Sequence, residues 1–349
     1  MTGSIILALI IWAVIICFDR QLLHFFGAQD YTLTLAREYV RPVKAAIPFF
    51  LFNQMLAAYL RNDKNPARAT GAVLAGGIFN IFGDYFFVFV CNMGAYGAGL
   101  ATAIGSAISF LAMLSHFFMK KNTLRLVRPE RLLYKLKEIT VTGFSTFFID
   151  VAMGILTILF NRQIMIYLGT NALAVYGVIV NISTFVQCCS YSVGQASQPI
   201  ISTNFGAGKG DRIRETLKYA LGTAAFFSLF WTALSMLMPN VFIRFFMMPT
   251  AEVLKIAPSI FRCYGLSFLL LPLNIFSTYY FQALMKPRVA FIASVTRGLV
   301  ISGILIYLLP ATFGGNAIWF AMPITEAAVA FYVVHEMVKY TKQLSTREV

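Results

Sequence analysis

Apolar residues fill most of this chain in long runs, and short polar stretches separate them. A run of about 20 mostly apolar residues is long enough to cross a bilayer as one helix. Ten runs of this kind are predicted, at 4–26, 39–60, 69–91, 95–119, 139–167, 171–200, 214–240, 256–284, 287–310 and 315–338. The first is the shortest in its apolar core, which runs from Ile5 to Phe18 before Asp19 and Arg20. A cleaved signal peptide would carry basic residues ahead of that core, and none precedes Ile5, so this segment is expected to be a span. The expected fold class is therefore an all-α integral membrane protein.

Composition agrees. Hydrophobic residues make up 59% of the chain and charged residues 12%, with a mean hydropathy of +0.74, whereas soluble domains carry about 25% charged residues. Among so few charges a net +14 would suit nucleic acid or acidic lipid, but the Lys and Arg lie in short connections, so no nucleic-acid partner is expected. The connection after the fourth run holds Lys120, Lys121, Arg125, Arg128, Arg131, Lys135 and Lys137, and those near Asn92, Thr170 and Gly314 hold none. The positive-inside rule puts the first on the cytoplasmic side. With ten spans, both termini are then expected in the cytoplasm and the protein in the plasma membrane.

A repeat divides the chain. At a shift of 221 residues Asn53 meets Asn274, Tyr59 meets Tyr280, Pro66 meets Pro287, Gly77 meets Gly298 and Gly94 meets Gly315, with Ala69 and Ala72 on Ala290 and Ala293. Duplicated halves are common in transporters, whose substrate sites lie between the repeats. The expected division is an N-terminal lobe at 1–122 with four spans, a basic linker at 123–138, and a C-terminal lobe at 139–349 with six. Spans one to four pair with seven to ten, so two helices that would match spans five and six are expected to be missing before Met1.

Several polar side chains fall inside these spans. An intramembrane carboxylate is costly and is a functional hypothesis by default. Asp84 is the first, with Asn80 four residues earlier on the same helical face and Thr102 on the next span. Asp150 in the fifth span reads as a second cation or substrate-charge site, or as the partner of Lys137 or Arg162. Asn161, Asn181 and Gln187 either line a cavity or hold helices together. Tyr279 and Tyr280 are candidates for an aromatic cavity wall suited to cations. Glu326 in the last span is expected to form a structural ion pair with Arg297. His24, His116 and His335 are read as interfacial side chains, and the five cysteines as small hydrophobes without metal-ligand spacing. Pro48, Pro272 and Pro323 are expected to kink their spans. Gly206, Gly208 and Gly210 do not form a Walker A loop, and no nucleophile and base pair stands out, so neither an enzyme nor a bound cofactor is expected.

Three segments are specific enough to resemble a family. Arg61 to Thr102, RNDKNPARATGAVLAGGIFNIFGDYFFVFVCNMGAYGAGLAT, resembles the MATE (multidrug and toxic compound extrusion) pattern of a short loop followed by N-x-x-x-D and G-x-x-G-A-x-x-A-T. Gly194 to Lys209, GQASQPIISTNFGAGK, is similar to the family's G-x-x-Q-x-x-P-I-x-x-x-N-x-G-A, and Trp319-x-x-x-Pro323-x-x-Glu326 is a weaker third match. The likeness runs along essentially the whole chain and is closest in flavour to the bacterial multidrug branch. It implies two pseudo-symmetric helical bundles facing a central cavity, here with the first bundle incomplete. It also implies export of small amphipathic, often cationic compounds against an inward flow of H+ or Na+. Carried over to this sequence, the family's N-lobe cation site falls on Asn80 and Asp84, with Thr102 beside them. The acidic residue that completes the site on the family's first helix has no counterpart here.

The expected activity is thus secondary active efflux by alternating access, carried out by a monomer in the bilayer. The alternatives are a lipid-linked oligosaccharide flippase of the same superfamily and a shortened membrane chain that does not transport.

Overall fold

In a computed structural model of the chain, residues 2–25, 30–120, 122–125 and 131–345 are described, and helix is the only regular secondary structure among them. The chain divides into two compact units, Met1–Glu130 and Arg131–Val349.

Unit 1 contains α1 (Thr2–Cys17), α2 (Asp19–Phe25), α3 (Asp30–Asn62), α4 (Pro66–Tyr85) and α5 (Gly94–Leu114). A π-helical turn, Phe86–Val90, extends α4, and a 3₁₀ turn, Ser115–Phe118, extends α5. Unit 2 contains α6 (Leu132–Tyr167), α7 (Gly169–Gly206), α8 (Gly210–Leu237), α9 (Pro239–Phe246), α10 (Ala251–Gly265), α11 (Leu271–Ala283), α12 (Pro287–Val295), α13 (Ile301–Phe313) and α14 (Ala321–Ser345). Short 3₁₀ turns join α10 to α11 and precede α14, and a π turn, Thr296–Val300, joins α12 to α13.

Among the described residues, nine helical stretches are long and apolar enough to cross a membrane, and they fall on the second to tenth predicted spans. The first predicted span is broken. Its apolar helix ends at Cys17, Phe18 bends, and α2 starts at Asp19. At the break Asp19 accepts from Lys44 Nζ on α3 at 2.7 Å, and Arg37 Nε lies 3.7 Å from the same oxygen. Trp12 Nε1 also donates to the Lys44 carbonyl at 2.7 Å, so α1 and α2 are both tied to α3.

Prolines act differently by position. Pro42 and Pro48 lie inside the continuous α3. Pro272 sits in the first turn of α11, just after the 3₁₀ turn that interrupts the stretch Ala251–Ala283, and Pro323 in the first turn of α14, just after the 3₁₀ turn Gly315–Phe320. A first-turn proline lacks only an N–H that would have no helical acceptor.

The 221-residue repeat is visible in backbone geometry. Lys64 and Met285 take left-handed φ values of 57° and 56°. Each is followed by a residue whose N–H closes the same turn, Asn65 to Leu60 O at 2.9 Å and Lys286 to Phe281 O at 2.8 Å. Pro66 and Pro287 then start the next helices. The paired alanines, Ala69 with Ala290 and Ala72 with Ala293, are all buried. Between the two π turns the equivalence slips, because a π turn takes in one more residue than the α turn it replaces. Unit 2 inserts its extra residue at Thr296–Val300 and unit 1 only at Phe86–Val90. Asn80 and Asp84 therefore align with Ser302 and Ile306, one residue beyond the simple shift.

Close helix crossings in unit 1 are built from small residues. A Cβ placed on Gly76 would collide with Ser109 Oγ and the Gly105 carbonyl, and one on Gly99 with the Tyr39 carbonyl. These contacts bring α4 and α3 against α5 and set the spacing around Asn80 and Thr102.

Candidate functional site

Asn80 and Asp84 leave α4 on one face, a turn apart, and α5 presents Thr102 to Asn80. Asn80 Nδ2 donates to Thr102 Oγ1 at 3.2 Å, and Thr102 donates to Ala98 O at 3.0 Å. The Tyr39 hydroxyl of α3 lies 3.3 Å from Thr102 Oγ1. A threonine hydroxyl has one hydrogen and two lone pairs. With its hydrogen on Ala98, Thr102 accepts from both Asn80 and Tyr39 and has no further capacity. Thr102 thereby orients Asn80. Tyr39 escaped the sequence reading because only the folded contact distinguishes it from other aromatics in the spans.

Asp84 lies outside this chain of bonds. Its Oδ1 is buried and has no hydrogen-bond partner among the described residues. A buried polar oxygen without a partner is costly, and a proton or a cation at that oxygen would remove the cost. Gly83 beside it packs closely: an added Cβ would sit 3.1 Å from Ala101 Cβ and 3.3 Å from the Phe79 ring. The structure thus joins Asn80 to Thr102 and leaves the carboxylate one turn away with a free oxygen.

In unit 2, Asp150 accepts from the Tyr191 hydroxyl at 3.1 Å, so its partner is a phenol on α7 and not Lys137 or Arg162. Asp150, Thr157, Thr184, Gln187 and Tyr191 help line a pocket of about 350 Å³ between α6 and α7. Gln187 is buried at its wall, with Nε2 3.8 Å from Met153 Sδ. Asn181 is exposed and donates to Gly177 O of its own helix at 3.0 Å, and Asn161 is also exposed. Neither lines this pocket.

The two tyrosines expected on a cavity wall are packed within unit 2. Tyr279 stands edge-on to Tyr191 with ring centroids 6.3 Å apart, over Gly194, where any Cβ would strike its ring. Tyr280 is fully buried in the core and its hydroxyl lies 2.9 Å from Thr341 Oγ1. Close packing against Phe276 and Phe281 leaves Tyr280 no open face, which corrects the cavity role expected for it.

Arg297 and Glu326 form the expected ion pair, Nε to Oε1 at 2.7 Å, with side chains 9% and 0% exposed. Asn274 completes it, donating from Nδ2 to Glu326 Oε2 at 2.6 Å and to the Glu326 carbonyl at 2.9 Å. The sequence signal for Asn274 was its repeat partner. Asn53 donates likewise to the Ser106 carbonyl at 2.9 Å, and both amides leave a buried Oδ1 without a partner among the described residues.

His116, read as an interfacial side chain, is instead buried. Its Nε2 donates to Asp63 Oδ2 at 2.6 Å and its Nδ1 accepts from Asn65 Nδ2 at 3.3 Å. The Thr123 hydroxyl and N–H also donate to Asp63. The turn after α3 supplies Asp63 and Asn65 and the segment after α5 supplies Thr123, and burial of the ring follows from their convergence.

Known proteins share this architecture. The MatE family profile matches residues 2–86 and 146–308. The multidrug export protein MepA of Staphylococcus saprophyticus is 25% identical over 332 residues, covering 94% of this chain and 72% of that protein. The MepA of Staphylococcus haemolyticus is 26% identical over 334 residues, with the same coverage. An outward-facing multidrug resistance MATE family transporter of the MOP superfamily superposes with a TM-score of 0.88 at 22% identity, over 99% of this chain and 78% of that one. A MOP superfamily transporter from Pyrococcus furiosus does so with a TM-score of 0.89 at 22% identity, again over 99% and 78%. These last two likenesses are of fold. With the family profile matched over most of its length and the membrane-spanning helices in place, the chain belongs to the MatE family of membrane transporters.

Proposed function

We propose that the chain exports small amphipathic cationic compounds from the cell by antiport with H+ or Na+, alternating between inward and outward openings. The observation that carries this reading is Asp84, a carboxylate in a membrane-length helix with a buried oxygen that meets no donor among the described residues. Occupation of that oxygen by a proton or a cation changes the local charge by one. A step of that kind biases an equilibrium between two helix arrangements only as far as the ion binds one arrangement better than the other. Asn80, oriented by Thr102 and Tyr39, is the neighbouring polar group on the same face. The MepA relatives, named as multidrug export proteins, supply the substrate class.

Asp150 is the second cation or substrate-charge site in this reading, within the pocket beside Gln187 and Tyr191. The protein acts as a monomer in the plasma membrane with its C-terminus in the cytoplasm, as the basic connections imply, and both termini lie there when α1 and α2 together make a tenth crossing. The test is resistance to a cationic dye in an efflux-deficient host. The wild-type chain is expected to raise resistance and Asp84→Asn to abolish the gain at equal membrane expression. Unchanged resistance in the variant would remove Asp84 from the coupling role.

A further inference from the structure

A groove of about 550 Å³ runs between α8 and α14, over Leu273 of α11, and neither Asp84 nor Asp150 lines it. Its wall is apolar, with Leu217 and Leu221 on one side and Val338 on the other. Residues 214, 217 and 221 lie on one face of α8, and residues 334, 338 and 342 on one face of α14. From Val334 to Lys342 the groove follows a helix rise of roughly 12 Å. Cations stand at one end only, Arg214 in the second turn of α8 and Lys342 in the last turn of α14.

We propose that this groove binds an anionic phospholipid, its phosphate between Arg214 and Lys342 and an acyl chain along Leu217, Leu221 and Val338. Arg214 also bonds Asp211 at 3.2 Å, but that pair is exposed and engages one donor of a guanidinium that has five. Both helices belong to membrane-length stretches, so an apolar groove with a cationic mouth there meets lipid first, and charge selects the anionic kind. The proposal does not depend on the role of Asp84.

Native mass spectrometry of the full chain in detergent tests it, with dioleoylphosphatidylglycerol, dioleoylphosphatidylcholine and inorganic phosphate as separate probes. The wild type is expected to retain phosphatidylglycerol over phosphatidylcholine by on the order of tenfold and to retain no phosphate. Arg214→Ala with Lys342→Ala should erase the preference, and Val338→Trp should lower retention of phosphatidylglycerol. Lys209→Ala with Arg212→Ala removes two charges near the groove and should leave the preference intact. If the alanine pair does not fold, Arg214→Gln with Lys342→Gln takes its place. Equal retention of the two lipids by the wild type, retention of phosphate alone, or loss of preference in the Lys209 and Arg212 control as large as in the groove variant would each overturn the proposal.

Discussion

Arg297 Nε lies 2.7 Å from Glu326 Oε1 inside unit 2, and the residues 221 positions earlier are Gly76 and Gly105. In unit 1 those glycines bring bare backbone into contact, for a Cβ on Gly76 would strike the Gly105 carbonyl and one on Gly105 would sit 2.7 Å from the Gly76 carbonyl. The repeat has kept the helix crossing and changed what fills it. One half closes on backbone and the other on a buried, neutralised charge pair.

Removing one partner of the pair leaves the other charged and buried. Glu326→Ala is therefore expected to lower stability by about 3–5 kcal/mol, measured as thermal unfolding in detergent. Arg297→Met with Glu326→Leu should recover most of that loss, because apolar replacement of both partners is often neutral or stabilising. Equal losses in the single and double variants would show that the charge is not the cause.

At the matching crossing of unit 1, Gly76→Ala forces backbone apart and should cost about 1–3 kcal/mol. Gly77→Ala is the comparison, since nothing lies within 4 Å of its added Cβ. It should melt at or slightly above the wild-type temperature, given alanine's better helix propensity.

Asp63 sits in the turn after α3, outside the membrane-length stretches. The Thr123 hydroxyl first, and His116 second, hold its carboxyl below the ordinary 3.8. A carboxyl lowered in the folded state adds stability that is full above the unfolded value of about 3.9 and is lost as pH falls through the folded value. The stability gap between wild type and Asp63→Asn should thus close as pH falls from about 5 to below about 4. Unfolding curves across that range measure it, and a gap that widens in acid would reverse the assignment.

Much of this was legible in the residues. The length of the apolar runs located nine of the membrane-length stretches, because twenty apolar residues have few other uses. Arg297 and Glu326 were paired from sequence since each charge is costly alone at that depth. The simple 221 shift sets Asn80 and Asp84 on Ile301 and Leu305, one residue short of Ser302 and Ile306, as π turns leave no composition signal and move the register by one. His116 was misread because its burial depends on Asp63, Asn65 and Thr123 converging from separate segments. Tyr280 looked like a cavity aromatic for the same reason, since packing against Phe276 and Phe281 is a tertiary fact. The broken first span was half visible in Asp19, whose partner Lys44 lies 25 residues away.

In the proposed cycle Asp84 couples ion entry to export. That coupling is tested most directly with purified protein in proteoliposomes, by following ethidium movement under an imposed pH gradient and, separately, a sodium gradient. One of the two gradients is predicted to drive ethidium across the membrane with the wild-type chain, and Asp84→Asn to reduce that movement to the level of protein-free vesicles. Gradient-driven movement by Asp84→Asn equal to wild type would remove Asp84 from the coupling role.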